Sequence, residues 1–168
     1  DVSTLAPEKI DLSKIPERTV EYLSREELER LFKAVDGRNI QALRDTAILQ
    51  TLYSTGLRVS ELAALNRARV DLVRREFMVR GKGRKPRVVF LSEPAVEAIG
   101  KYLRVRDDNF EPLFLNYRHA RSSKKNEDIT RGEKRRLSTV MIENLVRKYA
   151  RRAGIIKRVT PHTLRHSF

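Results

Sequence analysis

The sequence predicts a mainly helical domain with one small antiparallel sheet, an α+β class in which helices dominate. Three observations carry that expectation. Apolar residues recur at helical spacing behind side-chain caps at Ser24, Ser92 and Ser138 or Thr139. Residues that favour strands concentrate at 77–80 and 87–91, on either side of a glycine- and lysine-rich tip. The chain has 168 residues, 40% of them apolar and none of them cysteine, enough for a core built without disulfides.

Residues 1–20 hold two prolines and no periodicity, as expected of an extended interdomain linker. Ser24-Arg25-Glu26-Glu27 is a capping box that opens a helix to about Val35, with Leu28, Leu31 and Phe32 on its inner face, and Asp36-Gly37 ends it. A second helix, from about Ile40 to Tyr53, buries Leu43, Ala47, Ile48 and Leu52, with Tyr53 in the core. Ser54-Thr55-Gly56 breaks the pattern, and a third helix is expected from Leu57 to about Leu65. That places Arg58 in a first turn, where a cation opposes the helix dipole. Glu61 lies one turn on, suited to orient Arg58 or to offset its charge.

The two strand-like runs flank Gly81-Lys82-Gly83-Arg84-Lys85-Pro86, which reads as a hairpin whose cationic tip suits an anion. Ser92 caps the next helix, with Pro94 in its first turn and Val96, Ile99 and Leu103 inward. Pro112 to Leu115 reads as a short buried strand, and Arg121 to Arg136 as a solvated loop or hairpin rich in lysine and arginine. The following helix turns Val140, Leu145, Val146 and Tyr149 inward and Arg147, Lys148, Arg151 and Arg152 outward, and Gly154 stops it. Thr160 caps a last helix, with Pro161 at the first position, where its missing N–H costs nothing.

Charge is distributed unevenly. The net charge of +14 resolves into −2 for residues 1–65, +7 for 66–90, −2 for 91–114 and +11 for 115–168. Two basic blocks separated by nearly neutral ones suggest a single positive face and a polyanionic partner. The chain has no apolar run of membrane-spanning length and no leader pattern, so a soluble cytoplasmic protein away from membranes is expected. Without cysteine, thiol catalysis and thiolate metal sites are excluded.

His162 and Arg165 stand three apart in the last helix, which sets an imidazole beside a guanidinium on one face. Phosphodiester chemistry can use that pair, a proton acceptor beside a fixed cationic fork matched to phosphate oxygens. His162 and His166 at i, i+4 could also begin a zinc site. That reading lacks further ligands, with His119 the remaining histidine and no glutamate between the pair.

Three ordered segments, Thr55-Gly56-Leu57-Arg58-Val59-Ser60-Glu61-Leu62, Gly81-Lys82-Gly83-Arg84-Lys85 and Thr160-Pro161-His162-Thr163-Leu164-Arg165-His166-Ser167-Phe168, together resemble the tyrosine recombinase (phage integrase) family, most closely its Xer-type members. The resemblance spans roughly residues 20–168. It implies the mostly helical catalytic-domain fold of that family, and site-specific cleavage of double-stranded DNA through a 3′-phosphotyrosyl link, without a metal or other cofactor. Carried over by position, Arg58 and Arg165 would clamp the phosphate, Lys82 would protonate the leaving 5′-oxygen, and His162 would be a general base or an oxygen ligand. Glu61 would support the arginines. Arg84, Lys85 and Arg87 at the hairpin, with Lys124, Lys125, Arg135 and Arg136 in the basic loop, are the candidate DNA contacts.

The family pattern continues past Phe168 to a second histidine or tryptophan and then the nucleophilic tyrosine. The five tyrosines here, Tyr22, Tyr53, Tyr102, Tyr117 and Tyr149, all precede His162. The expectation is a catalytic domain over 21–168, incomplete at its carboxyl end, that binds DNA without forming the covalent link by itself. The full-length protein would assemble as a tetramer on DNA. The alternatives are a non-catalytic double-stranded DNA-binding module, a type IB topoisomerase and a ribosome-type RNA-binding protein.

Overall fold

The computed structural model describes residues 21–80, 83, 85–118 and 129–167, with His166 in its backbone alone. Helix α1 (Arg25–Lys33) starts where Ser24 Oγ accepts from Glu27 N at 3.1 Å, and it buries Leu28 and Leu31. Helix α2 (Ile40–Thr55) is capped by Asn39 Oδ1, which accepts from Ala42 N at 2.8 Å. It is the central helix, with Ala47, Ile48, Leu49 and Leu52 sealed from solvent. Burial on successive positions around the axis marks a helix enclosed on several sides. Tyr53 packs edge-on against Phe32, with centroids 5.6 Å apart.

Helix α3 (Val59–Ala63) is shorter than the sequence suggested, and Arg58 is its N-cap in extended conformation rather than a first-turn residue. A 3₁₀ turn, Arg67–Arg69, leads to strands β1 (Glu76–Val79) and β2 (Arg87–Phe90), which pair antiparallel with Phe77 opposite Val89 and Met78 opposite Val88. Phe77, Val79 and Val89 face the core, while Met78, Val88 and Phe90 are exposed. Helix α4 (Glu93–Val105) starts at Ser92, whose Oγ accepts from Ala95 N at 3.3 Å, and lies against α2.

Pro112 to Leu115 is buried but is not a strand. It bridges Asn66 at Pro112 and Arg136 at Leu115, so it changes partner within three residues and neither ladder extends. Helix α5 (Thr139–Arg152) takes Ser138 as its cap. Val140, expected inward, is 60% exposed. The buried face runs through Ile142, Leu145, Val146 and Tyr149, and a residue two before Ile142 falls about 200° away around the helix.

Helix α6 (Pro161–Ser167) begins at a reciprocal cap. Thr160 Oγ1 accepts from Thr163 N at 3.3 Å, and Thr163 Oγ1 accepts from Thr160 N at 3.1 Å. Its other end meets the beginning of the described chain, where Leu23 N donates to Ser167 Oγ at 2.9 Å. Lys157 Nζ adds bonds to Tyr22 O at 3.0 Å and to Glu27 at 2.9 Å. Among the described residues, no helix is long and apolar enough to cross a membrane.

Candidate functional site

The end of α2 sets the site. Thr55 Oγ1 donates to Thr51 O at 2.6 Å and accepts from Leu57 N at 3.3 Å, which fixes the turn leaving the helix. Gly56 closes α2 in the left-handed region, at φ 63°. A Cβ at Gly56 would lie 3.4 Å from Cγ of Arg165, so the stem of Arg165 rests against this glycine. Packing of α2 on α6 therefore places Arg165 two residues from the position of Arg58, although the two motifs are far apart in sequence. Arg165 is half-buried, whereas Arg58 and His162 are exposed.

Glu61 joins this cluster to the sheet. Its Oε2 accepts from Arg58 N at 3.1 Å, and its two oxygens take the Arg87 guanidinium at 3.3 Å and 2.9 Å. Burial raises the Glu61 carboxyl pKa, but the hydrogen bonds from Arg87 and the Arg58 amide outweigh it and leave the group below its ordinary value. Arg87, expected on a phosphate, is held on a carboxylate in this structure.

Arg136, also expected on DNA, is held within the fold. Nε and Nη2 bind Glu133, Nη1 binds the carbonyls of Ala63 and Leu65 at 2.9 Å and 3.1 Å, and Nη2 reaches Asn66 Oδ1 at 2.6 Å. With every N–H donor engaged, the guanidinium fastens the far end of α3 and leaves none over for a phosphate. Arg135 lies over the Phe110 ring at 5.3 Å. Gly132 lets Phe110 in, because a Cβ there would collide with that side chain. Backbone pairs Glu111 N to Arg131 O and Asn116 N to Arg135 O close the base of the basic loop. Lys85 is exposed beside β2. Lys82, Arg84, Lys124 and Lys125 lie outside the described residues. Among the described residues, no group of three or more His, Asp or Glu is arranged to hold a metal.

Sequence reasoning missed a buried polar network behind the site. Asp45 accepts from Tyr149 Oη at 2.6 Å and from Arg44, whose Nη1 reaches Leu115 O at 2.7 Å. Arg106 is enclosed with Asp108 and donates to the carbonyls of Phe110, Pro112 and Leu113. Tyr102 and Tyr117 share a hydrogen bond of 2.8 Å, and Arg44 and Arg106 lie over Tyr117 and Tyr102 respectively. Burial raises the pKa of Tyr102, Tyr117 and Tyr149, so all three hold their protons more tightly than a free phenol. The available signal was Arg44-Asp45 interrupting an apolar helix, two charges where the periodicity called for none.

The sequence matches the phage integrase family over residues 21–168. The chain belongs to the phage integrase family. Tyrosine recombinase XerA of Thermococcus onnurineus is 40% identical over 96% of this chain and 51% of its own length. Tyrosine recombinase XerC of Chlorobaculum parvum is 35% identical over 92% of this chain and 49% of its own. A crystal structure of XerA recombinase superposes with a TM-score of 0.69 at 36% identity, covering 88% of this chain and 48% of that one. The XerH recombinase bound to a palindromic difH substrate, at 21% identity, shares the fold with a TM-score of 0.67 over 89% of this chain and 41% of its own. This chain thus spans about half the length of the relatives it matches.

Proposed function

We propose that residues 21–168 form the catalytic domain of a site-specific tyrosine recombinase acting on double-stranded DNA, with residues 1–20 as its linker. The observation that carries this is the convergence of two motifs at Gly56, where Arg165 rests two residues from Arg58. Two guanidinium forks on one phosphate match its non-bridging oxygens and oppose the charge that develops there, which suits chemistry run without a metal. XerA and XerC are tyrosine recombinases by name, and XerH has been seen on its difH substrate, which supports the same reading for this chain.

In the proposed reaction a tyrosine hydroxyl attacks the scissile phosphorus and the P–O5′ bond breaks. His162 takes the tyrosine proton or holds an oxygen, Lys82 protonates the departing 5′-oxygen, and a 3′-phosphotyrosyl link remains. Rejoining reverses these steps, so no cofactor or energy source is consumed. The nucleophile is not among the tyrosines present. Tyr102 and Tyr149 are buried and Tyr117 is half-buried, all three with their hydroxyls hydrogen-bonded inside the fold, and Tyr53 packs on Phe32. Tyr22 lies on the far side of the sequence from the motif that precedes the family's tyrosine.

The chain itself then binds duplex DNA without a covalent step, and the full-length protein works as a cytoplasmic tetramer. The test mixes nicked suicide duplexes carrying candidate sites with this chain and with a protein extended through the downstream tyrosine. A metal-independent 3′ adduct from the extended protein alone is the expected result. Adduct formation by the 168-residue chain would overturn the assignment of the nucleophile. Binding by both without any adduct would favour a non-catalytic DNA-binding module.

A further inference from the structure

Helix α3 has five residues, too few to hold its shape unaided, yet its N-cap is Arg58. Its position therefore depends on what grips its ends. Arg136 holds the far end through the carbonyls of Ala63 and Leu65. At the near end the Arg58 amide donates to Glu61 Oε2, and the same carboxylate carries both arms of Arg87 from strand β2. The Glu61 side chain is 9% exposed and that of Arg87 46%, so the carboxylate is sheltered while the guanidinium covers it from the solvent side. A carboxylate in that setting swings toward water unless a cation fixes it, and a bidentate fork fixes its plane as well as its place.

We propose that Arg87 is a positioning residue: through Glu61 it sets the N-cap of α3, and so the placement of Arg58, and it makes no phosphate contact of its own. This inference rests on the recombinase reading for its effect on cleavage, while its structural half stands apart from that reading. A guanidinium locked on Glu61 adds nothing to counterion release, whereas a phosphate contact would contribute a slope of about 0.9 to the salt dependence of DNA affinity. A lysine at the same place keeps the charge but loses the fork.

The experiment uses Arg87→Ala and Arg87→Lys with three readouts. In the 168-residue chain, hydrogen exchange of the Arg58 amide is expected to rise at least about tenfold in Arg87→Ala, with less change in Arg87→Lys. The slope of log affinity against log salt on duplex DNA is expected to match the unsubstituted chain in both variants. In the full-length protein, single-turnover cleavage of a nicked duplex is expected to fall about 100-fold in Arg87→Ala and to recover in part in Arg87→Lys, with DNA affinity retained. A slope reduced by one contact, or an unchanged Arg58 amide, overturns the proposal whatever the cleavage result. Cleavage by Arg87→Ala at the rate of the parent protein overturns it too. If the parent full-length protein forms no adduct, the recombinase reading fails by itself, and the exchange and salt measurements still decide where Arg87 is engaged.

Discussion

Substituting Gly56 probes the convergence on which the site depends. Two costs separate cleanly there. The first is backbone: an alanine at φ 63° occupies the left-handed region, at about 1 kcal/mol. For a domain of this size that lowers the thermal midpoint by about 2–4 °C. The second is local: the new Cβ meets Arg165 Cγ at 3.4 Å, the edge of ordinary carbon contact. Valine adds methyls reaching about 1.5 Å farther, and the Arg165 stem must then move by roughly 1 Å. A displacement of that size at a reacting group costs about 100-fold in rate. Gly154 is the control, since it has φ 69° but a Cβ there would meet the flexible end of Arg30, Nη1, at an ordinary 3.9 Å. Thermal melts of the chain and single-turnover cleavage by the full-length protein are the assays. Gly56→Ala and Gly154→Ala should melt alike, Gly154→Ala should cleave normally, and Gly56→Val should lose cleavage beyond its loss of stability. Normal cleavage by Gly56→Val would refute the placement of Arg165 against α2.

Other consequences are open to measurement. Tyr149→Phe removes a donor from buried Asp45 and is expected to cost about 1–3 kcal/mol in denaturant melts, with the salt slope of DNA binding unchanged. The phenol pKa values of Tyr102, Tyr117 and Tyr149 are raised in the folded state. Their contribution to stability is therefore fully present below the unfolded value of about 10 and is lost as pH rises above it. In an alkaline titration followed by phenolate absorbance, these three should ionise together with unfolding rather than near pH 10. DNA affinity should fall steeply with salt, with a log–log slope of roughly −5 to −9 for six to ten phosphate contacts; a flat dependence would contradict the proposed basic face.

Most helix starts were legible in the sequence because a cap is a local device. Ser24, Ser92, Ser138 and Thr160 each meet a backbone amide three residues on, and the spacing alone reveals them. The start of α3 was harder. Leu57 looks like the first apolar residue of a helix, but it is buried in the turn that Thr55 and Gly56 hold, so the helix waits until Val59. The roles of Arg87 and Arg136 were hidden for another reason. A basic residue in a basic segment reads as a surface cation, and its carboxylate or carbonyl partners lie 26 and up to 73 residues away in the chain. Arg44, Asp45 and Arg106 form ion pairs with near neighbours, yet their burial comes from elements the sequence does not place beside them. Arg58, Glu61 and Arg165 were legible as site candidates through the ordered motifs, and the fold brings their segments together around Gly56.

The most direct test of the central claim is single-turnover cleavage by the full-length protein carrying Arg58→Ala or Arg165→Ala, measured beside DNA affinity. If both arginines grip one scissile phosphate, each change should lower cleavage by about 100- to 1000-fold with DNA affinity largely retained. Cleavage at the parent rate by Arg58→Ala would contradict the account.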